Sequence, residues 1–191
     1  PLTVEQYHKM LETGILKDGD PIELLDGMLV YKDRSTRGED PMTIGNRHRT
    51  AVILLANLGR MLEGLGCFVQ TQAPVSIPPL HEPEPDGAIV RGQPRDYTGR
   101  HPGPRDVSCV LEVSDSTLDY DRTEKLRKYA EAGIPQFIIV NLVDLQIEVF
   151  EEPQTGKRRY AKNRILRADQ KLPLLVPSGK RLQVLVNDLL P

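Results

Sequence analysis

The chain has 191 residues, of which 39% are hydrophobic and 27% are charged, and its formal net charge is −2. These values predict one globular domain over residues 1–191, and no apolar run is long enough to span a membrane. The slightly acidic balance argues against a chain that coats nucleic acid by bulk charge, although an enzyme needs only a local basic surface. No basic segment followed by an apolar run stands at the start, so we expect a cytoplasmic protein.

The two cysteines, Cys67 and Cys109, are too few for a disulfide framework and lack the spacing of a zinc site. Both stand in apolar runs. We therefore expect them to be small core residues in strands.

The first half of the chain predicts two helices and a hairpin. Residues 3–13 have the pattern of a short helix, and "IELLDGMLVYK" predicts two strands joined at Asp26-Gly27, a strong hairpin signal. Residues 43–64 carry apolar side chains at spacings of three and four, which predicts a long amphipathic helix.

The second half is rich in predicted strands. "CFVQTQAPVSI" and "DGAIVR" predict strands, residues 92–106 predict a long loop, and "VSCVLEV" predicts a buried strand. Asp121 and Glu124 form a plausible capping box for a helix that runs to about Ala132. "QFIIVNL" and "LQIEVFEE" predict neighbouring strands joined by a tight turn, and the remaining tail has several short strand candidates and no helix pattern.

The middle of the chain thus has the order helix-strand-strand-strand-helix-strand. A helical crossover between "VLEV" and "FIIV" implies that these two strands are parallel. The predicted fold class is α/β (α+β), with flanking helices on a mixed sheet, an added N-terminal hairpin and added C-terminal strands.

Glu112 stands out because it lies among Val110, Leu111 and Val113 in a predicted buried strand. A buried carboxylate needs a cationic partner or a raised pKa. Alternation places Glu112 on the face of Ser108, Val110 and Ser114, and the opposite face is formed by Val107, Cys109, Leu111 and Val113.

Two further residues are predicted to converge on Glu112. Asp86 opens the preceding strand, and the loop between the two strands is compatible with their pairing side by side. Lys125 falls within the apolar stripe of the following helix, so its stem should run along the sheet and its ammonium could reach Glu112. A bound metal is the other cation that could meet this carboxylate.

Two acids beside a lysine form a minimal set for metal-dependent phosphodiester hydrolysis. Carboxylates hold a hard divalent cation, and the lysine orients or activates the attacking water.

Several stretches closely resemble the Uma-two family, a branch of the restriction-endonuclease-like PD-(D/E)XK superfamily. The resemblance covers nearly the whole chain and includes "IELLDGMLV", "PEPDGAIV", "VLEVSDST", "DYDRTEKLRKYAEAGIPQFIIVN" and "QIEVFEE". Its most specific parts are residues 112–114, 121–129 and 133–135. It implies a restriction-endonuclease-like fold and a Mg²⁺- or Mn²⁺-dependent DNA endonuclease.

The resemblance also implies roles for individual residues. Asp86 and Glu112 would be metal ligands, with the backbone carbonyl of Val113 contributing, and Glu23 matches a recurring family acid. The lysine usual in the superfamily lies two residues after the acid, where this chain has Ser114. Lys125 is the candidate for a migrated lysine, in agreement with its place in the helical stripe.

Two basic stretches are candidates for contact with DNA. Residues 157–167 contain no acid, but charge runs are usually solvated faces. The loop between the strands of Asp86 and Glu112 is preferred, because we expect it to lie near the site, and its candidate residues are Arg91, Arg95, Arg100 and Arg105. His48 is interpreted first as a partly buried histidine and second as a phosphate contact.

Two other functions compete with the nuclease. A nucleic-acid-binding or assembly module with the same fold would explain the missing lysine at position 114 and the acidic net charge. A glycosidase would also use two carboxylates, but the chain has no tryptophan and only three phenylalanines to form sugar platforms. Cutting two DNA strands needs two sites, so a homodimer is a possible assembly.

Overall fold

The computed structural model describes residues 1–17, 19–31 and 45–191 of the chain. Among these residues, no helix has the length and apolar character needed to cross a membrane.

A six-stranded mixed sheet organises the fold. Its spatial order follows the chain: β3 (Cys67–Gln70), β4 (Gly87–Arg91), β5 (Val107–Ser114), β6 (Gln136–Asn141), β7 (Gln146–Gln154) and β8 (Arg159–Leu166). The β5 and β6 strands are parallel, as the helical crossover predicted, and the other neighbouring pairs are antiparallel. The predicted fold class and core order are confirmed.

The remaining elements flank this sheet. The helices are α1 (Val4–Glu12), α2 (Asn46–Leu62), α3 (Leu118–Tyr120) and α4 (Leu126–Glu131), with a π-helical turn at Asp121–Lys125 joining the last two. Two hairpins are added: β1 (Ile22–Leu25) with β2 (Met28–Tyr31), and β9 (Lys171–Leu175) with β10 (Arg181–Leu185). Short 3₁₀ turns lie at Pro94–Tyr97, Thr155–Lys157 and Val186–Asp188.

The sheet carries a hydrophobic layer on each face. On one face, Leu55 and Leu58 of α2 share a cluster with Leu111 of β5 and with residues of β9 and β10. On the other face, Tyr129 and Ala130 of α4 share a cluster with strand residues that include Val110, Phe137 and Ile139. This two-sided burial explains the continuous apolar runs of β5 and β6. Cys67 and Cys109 are buried free thiols in strands, as predicted.

The N-terminal hairpin turns where the sequence predicted it. Asp26 and Gly27 have φ values of 52° and 68°, which a tight primed turn requires. Leu24 of β1 forms an isolated bridge with Glu82, and Asp26 pairs with the Lys128 ammonium at 2.5 Å. These contacts fix the hairpin against both the segment before β4 and helix α4.

Two element predictions need correction, and a third is only partly described. The strand predicted over residues 67–77 ends at Gln70, because the chain turns at Gln72, whose φ is 48°. The helix predicted to start at Asp121 starts at Leu118, so Asp121 is not its cap. Residues 43–44 of the predicted long helix lie outside the described residues, and α2 is observed from Asn46.

The predicted alternation of β5 holds from Cys109 to Val113 and fails at its start. Ile89 pairs with Cys109 whereas Val90 pairs with Val107, so the register shifts between them. This bulge moves Val107 into the same cluster as Val110, although alternation placed the two on opposite faces.

Candidate active site

Asp86 and Glu112 meet at one edge of the sheet. Gly87 pairs with Leu111 in the antiparallel β4–β5 register, so the preceding Asp86 stands opposite Glu112. Both are buried and border a cavity of about 270 Å³. The cavity is lined by Glu23, Val30, Tyr31, Glu84, Asp86, Glu112, Val113, Thr117, Tyr120, Asp121 and Lys125.

Asp86 is held in one orientation by two contacts to Oδ2. The Val113 backbone N–H donates to it at 2.9 Å, and His48 Nε2 lies 3.2 Å away. Burial raises the pKa of Asp86, but the His48 contact and the Val113 hydrogen bond outweigh burial and lower the pKa below its usual value. Asp86 is therefore an ionised, oriented carboxylate at neutral pH.

Glu112 has the opposite electrostatic character. The Tyr129 hydroxyl donates to Oε1 at 2.7 Å, and the Lys125 ammonium lies 3.0 Å from the same oxygen. Burial raises the pKa of Glu112 to about 8, with Asp121 and Asp86 acting in the same direction and Lys125 and Tyr129 opposing them. A proton or a cation is thus retained at this carboxylate near neutral pH.

Lys125 reaches Glu112 as the helical stripe predicted. It ends the π-helical turn, and its ammonium also lies 3.8 Å from Asp121 Oδ1. Burial lowers the pKa of Lys125, but the charges of Glu112, Glu23 and Asp121 outweigh burial and raise the pKa above its usual value. Such π-helical turns inside helices are frequent at functional sites.

Asp121 belongs to the site and not to a helix cap. Its Oδ2 accepts hydrogen bonds from the hydroxyls of Ser114 and Thr117, each at 2.7 Å. Ser114, at the position of the usual superfamily lysine, is fully buried by this contact. The i, i+4 spacing of Asp121 and Lys125 could have indicated that both face Glu112.

The N-terminal hairpin adds a fourth buried acid. Glu23 lies on β1 and its Oε2 accepts a hydrogen bond from the Glu84 backbone N–H at 3.2 Å. Glu84 was missed by the sequence analysis although it lines the cavity. It stands two residues before Asp86, a spacing that places side chains on one side of an extended chain.

The charge balance around the cavity is strongly acidic. Its described lining contains five carboxylic side chains, and Lys125 is the one basic side chain among them. Carboxylate oxygens are the ligands that Mg²⁺ and Mn²⁺ prefer. The donor chemistry and the excess negative charge both fit a hard divalent cation.

Val113 and His48 both contact Asp86, and only the role of His48 as a phosphate contact disagrees with the geometry. The Val113 backbone contributes an N–H that fixes Asp86, and Val113 also lines the cavity. His48 is buried at the start of α2 and contacts Asp86, so its side chain faces inward and not toward a phosphate on the surface. This placement matches its interpretation as a buried histidine.

The arginine loop does not lie where we expected it. The β4 and β5 strands are antiparallel, so residues 92–106 join the strand ends opposite Asp86 and Glu112. Glu112 lies five residue steps along the strand from Val107, which is about 17 Å. Arg91 and Arg105 line a separate cavity with Gly133 and Pro135. The argument that this loop borders the site was wrong.

The other loop arginines are also engaged or distant. Arg100 pairs with Asp106 at 2.6 Å and lies over the Tyr97 ring, and Arg95 is exposed in the same loop. The second basic stretch forms part of β8, where Lys162 and Arg164 pair with Glu152 and Glu151 of β7. Two of the basic side chains of this segment are therefore paired with acids of the neighbouring strand.

Basic side chains nearer the site lie at the start of α2. His48 contacts Asp86, and the exposed Arg49 follows it directly. The Arg47 guanidinium donates to the carbonyl of Leu142, whose N–H in turn donates to the Ser114 carbonyl at the end of β5. Arg47 and Arg49 therefore stand at the same edge of the sheet as Glu112.

A family model described as "Putative restriction endonuclease", Uma2, matches residues 4–184. The chain belongs to this family. The match includes Glu23, Asp86, Glu112 and Lys125, and it agrees with the resemblance found in the sequence. No curated protein matches the chain.

Solved structures show the same fold. A crystal structure titled as a putative nuclease belonging to DUF820 from Anabaena variabilis has a TM-score of 0.68 and 15% sequence identity. The alignment covers 99% of this Uma2 member and 97% of the Anabaena chain. The family and the fold together support a nuclease function.

Proposed function

We propose that this Uma2 member is a metal-dependent DNA endonuclease that hydrolyses phosphodiester bonds with Mg²⁺ or Mn²⁺. The observation that carries the proposal is the pairing of Asp86 with Glu112 across two strands, with Lys125 beside Glu112 in a buried acidic cavity. Metal-dependent phosphodiester hydrolysis uses these groups: oxygen ligands for a cation and a positive charge near the attacking water.

The two carboxylates would hold the ion, with the Val113 carbonyl as a further oxygen ligand and Glu23 as a ligand or an orienting acid. A bound divalent cation supplies Lewis acidity, which lowers the pKa of a water molecule and offsets charge on the phosphate. Burial and the nearby charges of Asp121 and Asp86 raise the pKa of Glu112, and a bound divalent cation would offset both effects.

The chain's own side chains would position the reacting groups. The Tyr129 hydroxyl and the Lys125 ammonium both contact Glu112 Oε1, which leaves Oε2 for a ligand. The Val113 N–H and His48 both contact Asp86 Oδ2, which leaves Oδ1 for a ligand. Lys125 would orient the attacking water and stabilise the charge that develops on the phosphate.

A nucleic-acid-binding or assembly module remains the second candidate function. Lys125 contacts both Glu112 and Asp121, so a purely structural ion pair would also explain its burial. Ser114 is occupied by Asp121 and supplies no charge at the usual lysine position.

Metal titration and cleavage distinguish the two functions. The Asp86→Asn/Glu112→Gln variant should lose Mn²⁺ binding by calorimetry and lose cleavage of supercoiled plasmid. The matched control, Glu63→Gln/Asp169→Asn, removes two exposed acids and should behave as the parent. If the parent binds Mn²⁺ at Asp86 and Glu112 but never cuts circular or linear DNA, the binding module is the better account. Unchanged Mn²⁺ binding in the first variant would refute the site.

A further inference from the structure

Three side chains outside the nuclease site converge on one point. His8 comes from α1, Glu82 from the segment before β4, and His101 from the loop of residues 92–106. One ligand atom from each lies within 4.8 Å of the ligand atoms of the other two. None of the three lines the cavity of Asp86 and Glu112.

The carboxylate at the centre of this cluster is buried. Glu82 is 2% exposed, and His8 Nε2 lies 2.7 and 2.9 Å from its two oxygens. The His8 and His101 rings meet edge to face, with centroids 5.7 Å apart. Two imidazoles thus surround a buried acid. A buried carboxylate is costly unless it is paired with a positive group or coordinates a metal.

We propose that His8, Glu82 and His101 form a second metal site, which binds a zinc-class transition ion. Two imidazoles and one carboxylate are a ligand set that suits Zn²⁺, whereas Mg²⁺ prefers oxygen ligands alone. Three protein ligands leave one tetrahedral position for water or a further ligand. The site is chemically distinct from the all-oxygen set at Asp86 and Glu112.

The cluster needs only a modest adjustment to hold the ion. Ligand bonds of about 2.0–2.1 Å place neighbouring ligand atoms of a tetrahedral site about 3.3 Å apart. His8 and Glu82 must separate from 2.7 Å by about 0.6 Å, and the widest pair must close from at most 4.8 Å. The side chain of His8 is 37% exposed and His101 lies on a loop, so both can make this adjustment.

A metal here would join three parts of the chain that are distant in sequence. The loop of residues 92–106 is already tied to the neighbouring segment by the hydrogen bond from Ser76 N–H to the Pro102 carbonyl, at 2.8 Å. His8 and His101 also line a cleft of about 610 Å³ between α1 and this loop. The ion would fasten the loop to α1 at the edge of this cleft.

Zinc binding should be measured in the Asp86→Asn/Glu112→Gln protein, because that background removes the nuclease carboxylates. After treatment with a chelator, this variant should bind one Zn²⁺ with micromolar or tighter affinity. Co²⁺ bound in place of Zn²⁺ should give the visible absorption of a tetrahedral ion. Loss of a residue that only hydrogen-bonds to a metal ligand lowers metal affinity by up to roughly 100-fold. Adding His8→Ala or His101→Ala removes a ligand itself and should weaken Zn²⁺ binding by more than this.

His81→Ala is the matched control. His81 is adjacent to Glu82, but its Nδ1 accepts a hydrogen bond from the Asp26 N–H and it is absent from the cluster. The control should keep Zn²⁺ binding and the rise in melting temperature that bound Zn²⁺ produces. The proposal is overturned if the background protein binds no Zn²⁺, or if His8→Ala and His101→Ala, shown to be folded by circular dichroism, bind it as tightly as the control.

Discussion

The Lys125 ammonium lies 3.0 Å from Oε1 of Glu112, an oxygen that also accepts a hydrogen bond from Tyr129. One oxygen of this carboxylate is thereby neutralised and oriented from the helix side. The lysine reaches it from the helix after β5, whereas the usual superfamily lysine would stand on β5 itself at the position of Ser114. The positive charge therefore comes to the site from a different element of the chain.

Lys125→Ala should reduce plasmid cleavage by a factor on the order of 100 or more, because it removes one positioned charge from the reacting groups. Mn²⁺ binding should be retained, since Asp86 and Glu112 both remain. Single-turnover cleavage and calorimetry measure the two effects. Arg127→Ala is the control, because it removes an exposed positive charge two residues along the same helix.

A structural role for Lys125 has a different signature. Breaking a buried ion pair costs roughly 3 to 5 kcal/mol of unfolding free energy, because the remaining carboxylate is left unpaired. A folded Lys125→Ala protein that cuts DNA at the parent rate would eliminate the migrated-lysine mechanism. Thermal melts on the same sample report the stability change separately.

Restoring the superfamily position should partly rescue the lysine variant. In Ser114→Lys/Lys125→Ala, the new ammonium replaces the hydroxyl that contacts Asp121 and extends from the same face of β5 as Glu112. We expect cleavage above that of Lys125→Ala, measured at equal Mn²⁺ saturation. Ser114→Met/Lys125→Ala controls for side-chain size. Equal cleavage rates for the two double variants would argue that a lysine at position 114 cannot replace Lys125.

Glu112 should make the metal-free protein less stable as the pH rises. Its pKa in the folded protein is about 8 against an ordinary value of 4.5, so the folded state keeps a proton that the unfolded state has released. The stabilisation is complete below pH 4.5 and is lost as the pH rises to about 8. Glu112→Gln should remove this pH-dependent part of the free energy of unfolding, which is on the order of a few kcal/mol.

The comparison is made by urea denaturation of both proteins in chelator between pH 5 and pH 8. The parent should lose stability relative to Glu112→Gln across this interval. A constant difference between the two curves would mean that Glu112 is ionised throughout, with Lys125 fully compensating its burial.

Arg49→Glu should weaken DNA binding at low salt more than Arg95→Glu does. Arg49 stands at the start of α2, one residue from the His48 that contacts Asp86, whereas Arg95 lies in the loop at the opposite strand ends. Each change reverses one exposed charge, so the pair is matched. Fluorescence anisotropy at several salt concentrations gives the affinities and salt slopes. A larger loss of DNA affinity in Arg95→Glu than in Arg49→Glu would indicate that DNA binds along the loop of residues 92–106.

Local patterns in the sequence determined most of the elements and the key pair of the site. The apolar runs of β5 and β6 and the helix between them predicted the parallel pair, because a crossover helix imposes that direction. The helical stripe predicted that Lys125 turns toward Glu112, and an acid among valines and leucines predicted a cationic partner. These inferences needed only side-chain periodicity and the cost of burying a charge.

Only the tertiary structure decided which distant segments share an edge of the sheet. The antiparallel β4–β5 register puts Asp86 opposite Glu112 and sends the arginine loop to the far end, a consequence that the loop's composition does not encode. The π-helical turn, the bulge at Ser108 and the docking of Glu23 depend on packing against other strands. The convergence of His8, Glu82 and His101 was likewise invisible in the sequence, because long-range proximity arises from how elements pack and not from local spacing.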